Sequence, residues 1–220
     1  MTAGRFITLE GGEGAGKTTQ SVLLAEALMA RGVPVLRTRE PGGSPGAELL
    51  RGILLGGTVD WSARAETLLH FAARAEHVAK TIQPALEAGT WVICDRFFDS
   101  TMAYQGYGQG ADRGFIAEQT RLLGVAPALT LVLDVGEAVA VQRMRQRGGD
   151  ADRYERLDAA FHDRVRRGFR EIAAAAPERC VLLDASGDIQ AVHTAIMTAV
   201  WTRLGPDQST DRPGLHQPQT

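Results

Sequence analysis

The segment Gly11-Gly12-Glu13-Gly14-Ala15-Gly16-Lys17-Thr18 carries the residue types that a polyphosphate demands, at the spacing G-x-x-x-x-G-K-[ST]. Its glycines let the backbone turn so that several N–H groups face one anion, and a helix opening at Lys17 adds its positive N-terminal end. Lys17 is placed to reach the β- and γ-phosphates of a bound ATP, and the Thr18 hydroxyl to ligate Mg²⁺. A glycine-rich turn that merely precedes a helix is the bland alternative. A strand before the loop, the GKT ending and an amphipathic helix after it argue against that alternative together. The loop alone does not separate hydrolases, motors, switches and kinases.

Other chemistry-bearing residues stand at strand ends. Asp95 follows WVIC and Asp134 follows LTLVL, and ligands in open α/β sheets sit beyond the carboxyl ends of strands. Either carboxylate could face Mg²⁺, directly or through water. Asp95 is the better candidate because Arg96 follows it and suits a second phosphate. Asp134 reads equally as a cap on the helix that begins near Glu137. Arg39 opens the turn Arg39-Glu40-Pro41-Gly42-Gly43. Phe71 and Arg74 lie three apart on one helical face, so one can stack on a flat ring while the other binds its phosphate. Taken singly these are a surface arginine and a core phenylalanine. Beside a phosphate loop they describe a site for an anionic, ring-bearing second substrate. The stretch Arg143–Arg153, RMRQRGGDADR, reads either as a solvated charge run or as a flap that brings arginine over a transferring phosphoryl group and excludes water.

These residues need a scaffold, and the hydrophobic pattern supplies one. Short β-branched runs occur at Phe6–Leu9, Val33–Arg37, Trp91–Cys94, Leu129–Leu133 and Cys180–Leu183, near-continuously apolar as in a parallel sheet covered on both faces. Helical patterns at Lys17–Arg31, Ala65–Ala88, Arg113–Leu123, Glu137–Gln146, Tyr154–Ala175 and Ile189–Leu204 alternate with them. This predicts a three-layer α/β/α fold around a five-stranded parallel sheet with right-handed crossovers. Residues 1–204 are expected to form one domain with a short lid at about 143–155. Residues 205–220, polar and rich in Pro and Gln, are expected to form a disordered tail.

Composition narrows the partners. With 24 Lys plus Arg against 26 Asp plus Glu, the chain lacks the basic excess of a protein that lives on nucleic-acid backbones. No apolar stretch approaches the ~20 residues of a membrane span, and no charged-then-apolar leader is visible, so a cytoplasmic protein is expected. Cys94 and Cys180 each sit inside an apolar run and read as buried, reduced thiols. The scattered histidines show no metal-ligand spacing.

At this point the motifs resemble those of bacterial thymidylate kinases over about residues 5 to 204. The carriers are Glu10 with GGEGAGKT, TREPGGS (Thr38–Ser44), FAARAEH (Phe71–His77), DRFFDSTMAYQG (Asp95–Gly106), LTLVLDV (Leu129–Val135) and DRYE (Asp152–Glu155). The resemblance implies ATP-dependent, Mg²⁺-assisted phosphorylation of dTMP to dTDP, in dTTP biosynthesis, by a homodimer. It implies that Phe71 stacks on thymine, Arg74 contacts the pyrimidine side, and Arg39 and Arg96 hold the acceptor phosphate. Glu10 and Asp95 would manage the metal and the 3′-hydroxyl end of the acceptor. Ser100, Thr101, Tyr104 and Gln105 would line the base and sugar pocket. Glu13 stands where another subgroup has a loop arginine, which assigns transition-state work to Arg153 with Arg147 in support. Ser44, Phe97 and Met102 depart from the family pattern, which puts one polar contact beside Asp95–Arg96 and one hydrogen bond to thymine in question. A different nucleoside monophosphate kinase, a nucleoside kinase and a non-catalytic ATP-binding switch remain as rivals.

Overall fold

The computed structural model describes residues 4–57, 59–148 and 153–205. Five strands, β1 (Phe6–Glu10), β2 (Val35–Arg39), β3 (Trp91–Asp95), β4 (Leu129–Asp134) and β5 (Cys180–Asp184), form one parallel sheet in the order β2-β3-β1-β4-β5. The apolar strand β1 is buried on both faces at the centre, with Ile7 opposite Ile93 on one side and Leu129 on the other. The strand order reverses around β1, so the loops after β1 and β3 open side by side at the carboxyl edge.

Helices α1 (Lys17–Met29) and α9 (Ile189–Leu204) cover one face, where Leu24, Leu28, Ile196 and Val200 pack on Ile7, Ile93 and Leu131. On the other face α8 (Ala159–Ala175) packs Phe161, Val165 and Phe169 against Val132 and Tyr104. The strand side chains alternate between these two layers, as the pleat requires. The three-layer reading of the sequence is therefore the observed architecture.

The predicted long helix begins at Ala63, capped by the Ser62 hydroxyl, as α3 (Ala63–His77). It passes through a π-helical turn at Val78–Ile82 into α4 (Gln83–Glu87). Pro84 removes a backbone N–H at that join, which is one cause of such a departure from regular winding. Strand β2 starts two residues later than predicted. Pro34 has no N–H to donate, and its carbonyl accepts from Trp91 instead, so the ladder opens at Val35 opposite Trp91 and runs on to Arg39 opposite Asp95.

Two helical stretches escape the hydrophobic periodicity. One is α2 (Pro45–Leu55), with the Ser44 side chain at its N-cap and Pro45 at its first position. The other is α5 (Phe98–Thr101), continued by π-helical turns over Met102–Gly108. Helix α6 (Arg113–Leu123) stands as predicted and α7 (Glu137–Arg147) runs one residue longer. The helix expected from Tyr154 starts only at Ala159, because the Asp158 carboxylate caps Phe161 N and leaves Tyr154 in a turn. The expected tail, apart from Gly205, and residues 149–152 of the expected lid lie outside the described residues.

Candidate active site

A cavity of about 1070 Å³ opens at the carboxyl edge of the sheet. The phosphate loop forms its floor, from Glu13 through Gln20. One end is closed by Arg143 and Asp188–Gln190, the other by Arg39, Arg51, His70, Arg74 and Gln105. Its size and two-ended shape suit two ligands meeting over the loop.

The loop takes the conformation its glycines allow. Gly11 has φ 136° and Gly14 φ 69°. A Cβ on Gly11 would lie 2.3 Å from the Leu133 carbonyl oxygen, and one on Gly14 2.5 Å from that of Ala140. Any other residue would push the loop off β4 and α7. Lys17 is buried and donates to the Gly12 carbonyl at 2.7 Å. Burial and the neighbouring Arg96 pull its pKa down to about 8, the signature of a cationic site built for an anion. The Thr18 hydroxyl donates to Asp95 Oδ2 at 2.6 Å, so the sequence-predicted metal pair is brought together at the cavity wall.

Arg96 is the second cationic centre. It is the one non-glycine among the described residues with positive φ, at 70°, a costly conformation that tertiary contacts must hold. Its guanidinium donates to the Gly11 carbonyl, Ser100 Oγ, Tyr104 Oη and, at 2.6 Å, Glu13. Burial opposes ionisation of Glu13, yet Arg96 and Lys17 hold its pKa near about 2. Ser100, Thr101, Tyr104 and Gln105 all line the cavity. The unpredicted helix 98–108 presents them, one reason its π-helical turns matter here.

Arg74 is buried and nearly saturated. Its Nε donates to Glu40 at 2.7 Å, and its Nη2 to the Phe97 carbonyl and Thr101 Oγ1. Glu40 also meets His77 Nδ1 at 3.0 Å. The remaining Arg74 Nη1 is buried and has no hydrogen-bond partner among the described residues, while Arg74 as a residue contributes to the cavity lining.

Several expectations need correction. Glu10 is not among the cavity-lining residues. It is fully buried behind them, its carboxylate bonded to Phe97 N at 2.7 Å and Ser100 Oγ at 2.5 Å. Burial and then the nearby Asp99 push its pKa up to about 8. The carboxylate that faces the cavity from this loop is Glu13. Phe71 also misses the lining: its ring is buried with the Arg74 guanidinium 5.0 Å above it. The ring of α3 that lines the cavity is His70, a full turn (i, i+4) before Arg74. That spacing was the available signal. Arg153 is ion-paired to the buried Glu66 instead of lining the cavity. The Arg147 side chain lies outside the described residues. Asp134 is neither metal ligand nor cap, because Arg166 and Arg170 both bind its carboxylate, at 2.8 and 2.6 Å. Arg39 lines the cavity while half exposed, paired to Glu48 at 3.1 Å. Arg51, unpredicted, lines the same end and donates to the Pro41 carbonyl.

A parallel sheet with a phosphate loop after its central strand, and a second cationic pocket facing that loop, defines the P-loop kinase class. Within it, the thymidylate kinase family model matches residues 9–196. A thymidylate kinase of Gluconobacter oxydans is 54% identical over 205 residues, 91% of this chain and 96% of the relative. One of Caulobacter vibrioides is 51% identical over 208 residues, 93% of this chain and all of the relative. The crystal structure of thymidylate kinase from Ehrlichia chaffeensis superposes with a TM-score of 0.73 at 38% identity, covering 90% of this chain and 99% of that one. The chain belongs to the thymidylate kinase family.

Proposed function

We propose that the protein transfers the γ-phosphoryl group of ATP to the 5′-phosphate of dTMP, giving dTDP and ADP for dTTP synthesis. The observation that carries this reading is that Lys17 of the phosphate loop and Arg39, Arg74 and Arg96 line one cavity. A pyrimidine carbonyl is an acceptor of the right chemistry for an arginine in that lining. The neutral His70 ring would stack on the base: burial, and then the charge of Arg74, depress its pKa to about 3. Arg96 and Arg39 would hold the acceptor phosphate, and Glu13 and Tyr104 the sugar side.

A phosphate monoester is already a nucleophile near neutral pH, so no general base is required, and the protein's part is positioning and charge neutralisation. Lys17 and Arg96, which line the cavity together, would meet the charge that develops on the transferred group. Thr18 and Asp95 offer hard oxygens side by side, which fits Mg²⁺ held by one carboxylate and substrate phosphates. When bound, that ion would screen the phosphate oxygens. Among the described residues no group of three or more His, Cys, Asp or Glu side chains able to hold a metal ion exists.

Exposed Leu49 and Ile53 on α2 and Leu68 on α3 supply an apolar face for a second copy, so we read the protein as a homodimer, which sedimentation would test. For the activity, ADP release is measured across the nucleoside monophosphates. One methyl group is worth about 1–3 kcal/mol in an apolar pocket, so dTMP should be preferred over dUMP by about 10- to 200-fold. Acceptor-independent ADP release, or none at all, would refute the reading.

A further inference from the structure

Glu66 lies on α3, fully buried and outside the cavity lining, yet four donors converge on it. Its Oε1 accepts from Tyr154 Oη at 2.8 Å, Gln105 Nε2 at 2.9 Å and Gln109 Nε2 at 2.7 Å. Its Oε2 accepts from Arg153. Burial opposes its ionisation, but the hydrogen bonds from Tyr154, Gln105, Gln109 and Arg153 outweigh that and hold it below the usual carboxylate range. Two of the donors, Tyr154 and Gln105, line the cavity.

A carboxylate only accepts, so its partners must donate. Tyr154 has one proton, and Glu66 takes it. The Tyr154 oxygen can then only accept from Gln105 Nε2 at 3.1 Å and from His70 Nε2 at 2.9 Å. His70 must therefore carry its proton on Nε2 and leave Nδ1 bare.

We propose that Glu66 is a positioning residue for the acceptor: through Tyr154 it sets the tautomer and ring orientation of His70, and through Gln105 it fixes the adjoining wall, without touching substrate. The proposal rests on reading that end of the cavity as the acceptor pocket. An amide at position 66 would break the logic. It has one accepting oxygen and presents N–H groups to donors, so Tyr154 could turn its proton toward His70 and both tautomers would become available.

The test is Glu66→Gln in the full chain, with ¹⁵N-histidine spectra reporting the His70 tautomer beside steady-state kinetics. The wild type should show a single Nε2-protonated form. The variant should show mixed tautomers, with the KM for dTMP raised about tenfold, equivalent to ~1.4 kcal/mol, while the KM for ATP and kcat change less than about twofold. An unchanged tautomer and an unchanged dTMP KM in a folded variant overturn the proposal. So does a parallel rise in both KM values with a lowered melting temperature, which marks a merely structural role. If Glu66→Gln does not fold, Tyr154→Phe cuts the same link and should give the same spectrum and KM split; a wild-type spectrum there also overturns it. His70→Ala separates the two layers. A wild-type dTMP KM in that variant condemns the pocket assignment, whereas a raised one together with a silent Glu66→Gln condemns only the relay.

Discussion

Arg96 reaches from the end of β3 back to Glu13 in the phosphate loop, closing a 2.6 Å ion pair across the cavity floor. The pair joins the loop after β1 to the turn after β3 and holds a cation at the cavity wall. An arginine at φ 70° is paid for by four such contacts at once. Removing any one should loosen the guanidinium.

Among the described residues Lys17 donates to the Gly12 carbonyl, and it sits beside a second cation, Arg96. Lys17→Ala should lower kcat/KM by about 10³-fold, ~4 kcal/mol of transition-state stabilisation. Stability should change by less than about 1 kcal/mol, because charge repulsion with Arg96 is relieved. Coupled ADP release and thermal melts of the same preparation check both halves.

His70 and Phe71 are adjacent in sequence and opposite in role. His70→Ala should raise the dTMP KM by about tenfold or more, the loss of one base stack of ~1–3 kcal/mol, and leave the KM for ATP alone. Phe71→Ala should destabilise by about 3–5 kcal/mol while the folded fraction keeps its dTMP KM. The reverse pattern returns the stacking role to Phe71.

Arg74→Ala leaves Glu40 buried with His77 as its remaining side-chain partner. Breaking a buried pair from one side costs about 3–5 kcal/mol, so urea unfolding should show a loss of that order. Arg74→Lys should recover little of it, since one ammonium cannot serve Glu40, Phe97 and Thr101 in the same fork. A stability near wild type for either variant contradicts the network.

Glu10 links stability to pH. Its pKa rises from the ordinary 4.5 to about 8 in the fold, so between those values the native state keeps a proton that the unfolded chain releases. Stability from this group is complete below about pH 4.5 and is lost as pH rises toward about 8. Glu10→Gln should remove that slope, since the amide can still accept from Phe97 N and donate to Ser100 Oγ. Denaturation midpoints of both proteins from pH 5 to 8 give the difference; parallel curves would show that Glu10 is ionised in the fold.

The phosphate loop was legible because its chemistry is local: Gly11, Gly14, Lys17 and Thr18 act through backbone angles and short reach, which a linear motif records. The sheet was legible for a similar reason, since strands buried on both faces must be apolar throughout. The cavity-lining members of DRFFDSTMAYQG were legible as a group, though not as a helix. Gly106 and Gly108 argue against one by propensity, and only packing explains them: a Cβ on Gly108 would lie 2.5 Å from the Phe161 ring, contributed by a helix fifty residues on. Tertiary structure alone decided which of two neighbouring rings, His70 or Phe71, turns to the cavity, because a 100° step on a helix means nothing until its partners are placed. It decided likewise that Glu13 and not Glu10 faces the ligand side. And it gathered Gln105, Gln109, Tyr154 and Arg153 around the Glu66 carboxylate, since hydrogen bonds between distant segments leave no spacing in the chain to read.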